Sequence, residues 1–181
     1  MTDLTQYSGT WTIDPAHTRL GFVARHAMVT KVRGSFNEFS ASMTLDGANP
    51  SASKATLTAQ MASIDSGNAD RDAHLKSADF FDIETYPTMS FATTGVKQAD
   101  DSFVVLGDLT IKDVTRPVEI EVELDGIVND PFGNVRAGFA GQTEISRKDF
   151  GLTWNVALDT GGVLVSDKIK IELDVSATKD A

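Results

Sequence analysis

Eight consecutive residues, Val118-Glu119-Ile120-Glu121-Val122-Glu123-Leu124-Asp125, alternate strictly between aliphatic and acidic side chains. Successive strand residues point to opposite faces, so an extended chain gathers the aliphatics on one side and the acids on the other, where a helix would scatter both. Such a half-buried strand needs antiparallel neighbours of the same kind. The same period recurs at Leu20–Arg25, Phe39–Asp46 and Ile169–Val175, and in softer form at Ala55–Met61, Thr88–Val96, Phe103–Ile111 and Val135–Ile145, which makes at least eight strands. Turn signals lie at Asp46-Gly47-Ala48-Asn49-Pro50, Asp100-Asp101, Asn129–Asn134 and Thr160-Gly161-Gly162. One stretch reads as helix, Asn68–Lys76, with Asn68 as N-cap, acids in its first turn and Lys76 in its last.

No linker, charge run or repeat divides residues 1–181, so they form one all-β domain, either a closed barrel or a two-sheet sandwich. Strands of about nine residues give a sheet roughly 30 Å tall, and eight of them closed on themselves enclose a tall, narrow bore. The inward-facing stripes mix large residues (Phe22, Phe39, Met43, Met61, Met89, Phe91, Phe103, Phe139) with small ones (Ala24, Ala41, Ala59, Ala137). Such a mix either packs into a filled core or leaves room for a linear guest, and periodicity does not choose between the two.

Charge removes several function classes. Sixteen basic against 26 acidic residues leave a net charge of −10, which opposes nucleic acid and anionic membrane surfaces. Residues 1–35 run against this trend at +2, with Arg19, Arg25, Lys31 and Arg33 available to an anionic head group or to solvent. The absence of cysteine excludes disulfides, thiolate metal sites and a cysteine nucleophile. The longest apolar run is Phe103–Leu106, far below the roughly 20 residues of a membrane span. The first residues show neither a basic start nor an apolar stretch, which points to a cytoplasmic protein.

Polar candidates are few. His26 keeps the inward parity of Leu20, Phe22 and Ala24, so its imidazole either caps the bore or bonds a backbone carbonyl at a strand end. Arg71, His74 and Leu75 share one helix face that could lid the barrel with Phe80 and Phe81; the alternative pairs Arg71 with Asp72 or Asp79. Arg147, in Arg147-Lys148-Asp149-Phe150-Gly151, either frames an entrance or serves structure. None of the nucleophile-elbow, dinucleotide, phosphate-loop or metalloprotease motifs occurs, and the three histidines show no ligand spacing. An acid–base role for His26 or His74, or a filled barrel whose Glu119-Glu121-Glu123 face meets a basic protein, remain the other two classes.

Taken in order, these pieces resemble the YceI-like family of lipocalin-like, polyisoprenoid-binding proteins. The anchors are Trp11-Thr12-Ile13-Asp14-Pro15-Ala16-His17-Thr18 opening a first hairpin; Phe22–His26 and Gly34-Ser35-Phe36; Ala62–Ser66; Arg71–Leu75; Asp79–Asp82; Tyr86–Phe91; Gly107–Ile111; Thr115–Val118; and Ile145–Leu152. The resemblance implies an extended eight-stranded antiparallel barrel with one short helix, a long isoprenoid such as a prenyl pyrophosphate or a quinone in its pore, and homodimers. It brings no cofactor and no catalysis. It carries His26, Arg71, His74, Leu75, Phe80, Phe91 and Arg147 over as motif positions. With Phe36 of the second anchor and Phe22, Met43, Met89 and Phe139 of the inward stripes, these are the candidate ligand-binding residues. The implied function is carriage or storage of the lipid.

Overall fold

The structure, a computed structural model, describes residues 3–181. Its strands are β1 (Gly9–Ile13), β2 (Arg19–His26), β3 (Thr30–Phe36), β4 (Phe39–Leu45), β5 (Lys54–Gln60), β6 (Ile64–Asp65), β7 (Thr88–Ala99), β8 (Ser102–Ile111), β9 (Val114–Asn129), β10 (Val135–Ser146) and β11 (Lys168–Lys179). One helix, α1 (Ala69–Lys76), begins where the sequence places it, with the Asn68 side chain accepting from the Arg71 amide at 2.9 Å.

Eleven strands make eight ladder positions, because β1 with β2, β3 with β4 and β5 with β6 are each one strand interrupted. Both β1 and β2 run antiparallel to β11, Trp11 opposite Lys179 and Val23 opposite Lys170. Every position therefore pairs with its neighbours in sequence, and the first closes on the last: an up-and-down, eight-stranded closed antiparallel barrel. This corrects one expectation. Trp11–Thr18 opens no hairpin; it is a kink within the first strand position, and the first hairpin joins β2 to β3. The kink forms because Asp14 caps a short 3₁₀ turn led by Pro15, accepting from the Ala16 amide at 3.0 Å. It stays fastened to β11, the Asp14 amide donating to the Ser176 carbonyl at 2.8 Å and the Ser176 amide to the Thr18 hydroxyl at 3.0 Å.

Two bulges reset the alternation, between Thr93 and Gly95 in β7 and opposite Gly138 and Phe139 in β9. They keep Thr93 and Val96, and again Leu124 and Ile127, on the inner wall. Thr160-Gly161-Gly162 turns within the long connection 147–167 and joins no two barrel strands. Conversely, the β2–β3 hairpin turns at Ala27 and Met28 with φ of 50° and 68°, a left-handed pair without glycine or asparagine, so composition does not announce it. Tertiary contact holds it there: the Ala27 amide donates to the Leu164 carbonyl at 2.7 Å.

The two ends of the barrel are built differently. At the hairpin end, where β4–β5, β7–β8 and β9–β10 turn, buried Trp11 packs with Ala137 and Ala177. At the helix end, α1 and the connection 147–167 fold over two further clusters, one around Leu20, Phe36, Met61 and Ile64 and one around Phe80, Leu109, Ile111, Phe150 and Leu152. The ladder is incomplete in three further places: β7 pairs with β5 only from Thr88 to Ala92, β2 with β11 only from Arg19 to Val23, and β10 with β9 only from Val135 to Gln142, so that residues 143–146 pair with β11 alone.

Candidate functional site

The barrel is not filled. A cavity of about 380 Å³ lies along its axis, within the range that accommodates small ligands, and its wall is almost wholly apolar. The inward stripes supply that wall, with Phe22 and Ala24 from β2, Met43 from β4, Met89 and Phe91 from β7, Phe103 from β8, Val118 and Ile120 from β9, and Phe139 from β10. Met61, Ala59 and Ala137 share the parity but are sealed into the core, at 2%, 0% and 0% exposure.

Two close approaches keep the bore open. The Phe22 ring lies against Gly34, its cross-strand partner, and the Phe91 ring against Gly107; a Cβ at either glycine would stand 2.3 Å from a ring carbon. Without that Cβ each ring lies along the wall, and with it the ring would be driven into the lumen.

Of the candidate ligand-binding residues, the structure places Phe22, Phe36, Met43, Leu75, Phe80, Met89, Phe91, Phe139 and Arg147 on the cavity wall, and puts His26, Arg71 and His74 elsewhere. His26 keeps its parity, but β2 has outrun the bore, so its side chain is exposed at the base of the β2–β3 hairpin, where its backbone bridges to that of Val165. Arg71 is exposed and turned back onto Ser66, its Nε donating to the hydroxyl at 2.8 Å and its Nη2 to the carbonyl at 2.6 Å. Asp72 accepts from the Ser66 amide at 2.9 Å, so Arg71 meets Asp72 only through Ser66 and does not meet Asp79. His74 takes Asp79 instead, at 2.9 Å, and stands edge-on between Phe80 and Trp154, with centroids 5.0 and 4.6 Å away. The expected lid face therefore divides: Leu75 reaches the bore while Arg71 and His74 fasten the helix to its neighbours. The basic group of residues 1–35 lies on the outer wall, where Arg33 pairs with Glu172 at 3.4 Å and Arg19 donates to the Gly34 carbonyl at 3.2 Å.

Arg147 is 3% exposed. Its Nε donates to the Ser166 carbonyl at 2.9 Å, Nη1 to the Leu152 and Trp154 carbonyls at 2.8 and 2.9 Å, and Nη2 to the Val165 carbonyl at 3.4 Å. Burial lowers the pKa of this guanidinium and the nearby Asp167 charge opposes the shift. Burial also pushes Asp167 up, but hydrogen bonds from the Ser146 hydroxyl and the Lys148 amide, with the Lys148 and Arg147 charges, outweigh it and leave the carboxyl below its usual range. Arg147 thus touches the cavity while nearly all its donors hold the connection 147–167 in place. Sequence reading missed Trp154, which lies in none of the anchors, and the role of Ser66, which ends the Ala62–Ser66 anchor; they matter through His74 and Arg71. Among the described residues no cluster of His, Asp and Glu is arranged to hold a metal.

The sequence model of the YceI-like domain matches residues 11–177, from β1 to β11. The chain belongs to the YceI-like family. Among curated relatives, a UPF0312 protein of Photorhabdus laumondii is 42% identical over 134 residues, covering 74% of this chain and 70% of its own. The crystal structure of Burkholderia cenocepacia BcnA superposes with a TM-score of 0.79 at 27% identity, covering 92% of this chain and 99% of that one. A polyisoprenoid binding domain from Saccharophagus degradans shares the fold, with a TM-score of 0.69 at 14% identity over 94% of this chain and 98% of that one. The YceI-like match takes in both the bore and the connection 147–167 that covers its helix end. No helix among the described residues is long and apolar enough to cross a membrane.

Proposed function

We propose that this YceI-like chain is a non-catalytic carrier that holds a long-chain isoprenoid lipid, such as a prenyl pyrophosphate or an isoprenoid quinone, in its barrel, and that it does so as a homodimer. The observation that carries the reading is the unfilled, apolar bore of about 380 Å³ inside a closed barrel. The polyisoprenoid-binding character of the Saccharophagus domain supports it through the shared fold. Burial of a tail of about fifteen carbons contributes about 12 kcal/mol at roughly 0.8 kcal/mol per CH₂. An association cost of about 4 kcal/mol, the low end of the usual range, leaves micromolar binding. An acid–base role for His26 or His74 would need the imidazole at the guest, and neither lines the cavity: His26 is exposed to solvent and His74 is held by Asp79.

The test is native mass spectrometry of protein purified without detergent, followed by solvent extraction. A stoichiometric isoprenoid is the expected result, and the same spectrum reads the oligomer. Phe22→Arg with Phe91→Arg, in a chain whose circular dichroism is unchanged, should abolish uptake; undiminished uptake would move the site out of the bore.

A further inference from the structure

We propose that the bore has a lateral mouth, a fissure between β9 and β10 at the helix end, through which the guest is loaded and released; the proposal rests on the carrier reading above. The β9–β10 ladder stops at Gln142 opposite Glu121, although both strands continue, β10 to Ser146 along β11 and β9 back to Val114 along β8. Over the parted strands lies an open cleft of about 340 Å³, lined also by Asp149, Phe150 and Lys168. Val118, Thr143 and Ile145 line both this cleft and the bore, so these three side chains form a wall common to the two.

The interruption is written into the sequence. The Thr143 hydroxyl donates to the Glu119 carbonyl at 2.6 Å, so Glu119 turns its backbone toward the fissure. In a strand, residues two apart turn their backbone groups to the same side, so Pro117 faces the fissure as well, and it has no N–H with which to continue the ladder.

Each axial route carries a cover of its own. At the helix end the Arg147 guanidinium holds the covering connection by four carbonyls, over buried Phe150 and Leu152. At the hairpin end the segment through Leu4 and Tyr7 lies across the turn after β4, so close that a Cβ on Gly47 would fall 1.9 Å from the Leu4 carbonyl oxygen. The fissure is spanned by the Thr143–Glu119 bond and by Arg116, whose Nε donates to the Asp149 carbonyl at 3.2 Å. Val118 and Ile145 also pack there against the core cluster that contains Phe150, and parting these contacts breaks no strand pairing of β10 with β11 or of β9 with β8. The outer rim carries Glu119, Glu144 and Lys168, wet side chains beside which a polar head can remain in water while its tail slides inward.

The chain has no cysteine, which makes a bridging experiment clean. Glu119→Cys with Glu144→Cys places thiols at positions that would face each other if the ladder continued, and a bifunctional maleimide then bridges the fissure. The control bridge, Gln142→Cys with Glu172→Cys, joins register partners on the unbroken β10–β11 seam. With dansylated farnesol as the probe, bridging the fissure should slow loading and release alike by at least tenfold, leaving affinity unchanged and the control bridge without effect. Exchange as fast across the bridged fissure as across the bridged seam would overturn the mouth while leaving the carrier reading in place. Failure of the unbridged protein to take up the probe or its extracted lipid would overturn the carrier reading itself, and the mouth with it.

Discussion

The hairpin end of the barrel is closed by packing and the helix end by polar anchorage. Trp11 is 1% exposed, and Ala137 and Ala177, with no exposed surface, sit beside it on β10 and β11, small residues that let the strands close around an indole. At the other end Arg147, equally hidden, spends its donors on the carbonyls of a connection with almost no ladder of its own. Regular strands can be sealed by shape because their backbone groups are already satisfied, whereas an irregular segment brings unpaired carbonyls that something must meet.

The widest separation between the ends should come from Trp11→Ala. It removes the largest fully buried side chain, so urea unfolding should show a loss of about 4 kcal/mol, with the whole barrel melting as one unit. A smaller, local effect is expected of Arg147→Met: about 2 to 3 kcal/mol, with amide exchange accelerating in residues 151–167 while β1, β10 and β11 keep their protection. Equal acceleration in both regions would erase the distinction drawn here. The smallest effect is acid. The Asp167 carboxyl lies below its unfolded value, so its stabilising contribution is complete above that value, about 3.9, and is lost as pH falls through the lower folded one. Amide exchange followed below pH 4 should show the connection loosening near Ser146 and Lys148 before the Trp11 cluster yields.

The barrel was legible in the sequence because its strands are two-faced: each alternating stripe named its own inner wall, and Asn68 announced the start of α1. Interruptions were harder to read. The kink at Asp14-Pro15 looks like a hairpin turn locally, and only its register with β11 shows that the chain continues in the same direction. His26 failed for a related reason, since parity gives direction and says nothing of where the bore ends. Arg71 and His74 did fall on one helix face, but their partners, Ser66 and Trp154, are set by tertiary packing that spacing does not encode.

One consequence of the Arg147 contacts concerns change over time. The guanidinium grips main-chain oxygens, which every amino acid possesses, and the side-chain holds that the connection adds itself are few: Asn155 bonds the Val165 amide and carbonyl at 3.0 and 2.8 Å, while Ser166 and Asp167 fasten its end to Arg25, Ser146 and Lys148. Most positions between Leu152 and Ser166 are thereby relieved of any duty in holding their own segment. The cover can drift in sequence, or accept a grafted peptide, while its seat on the barrel stays the same.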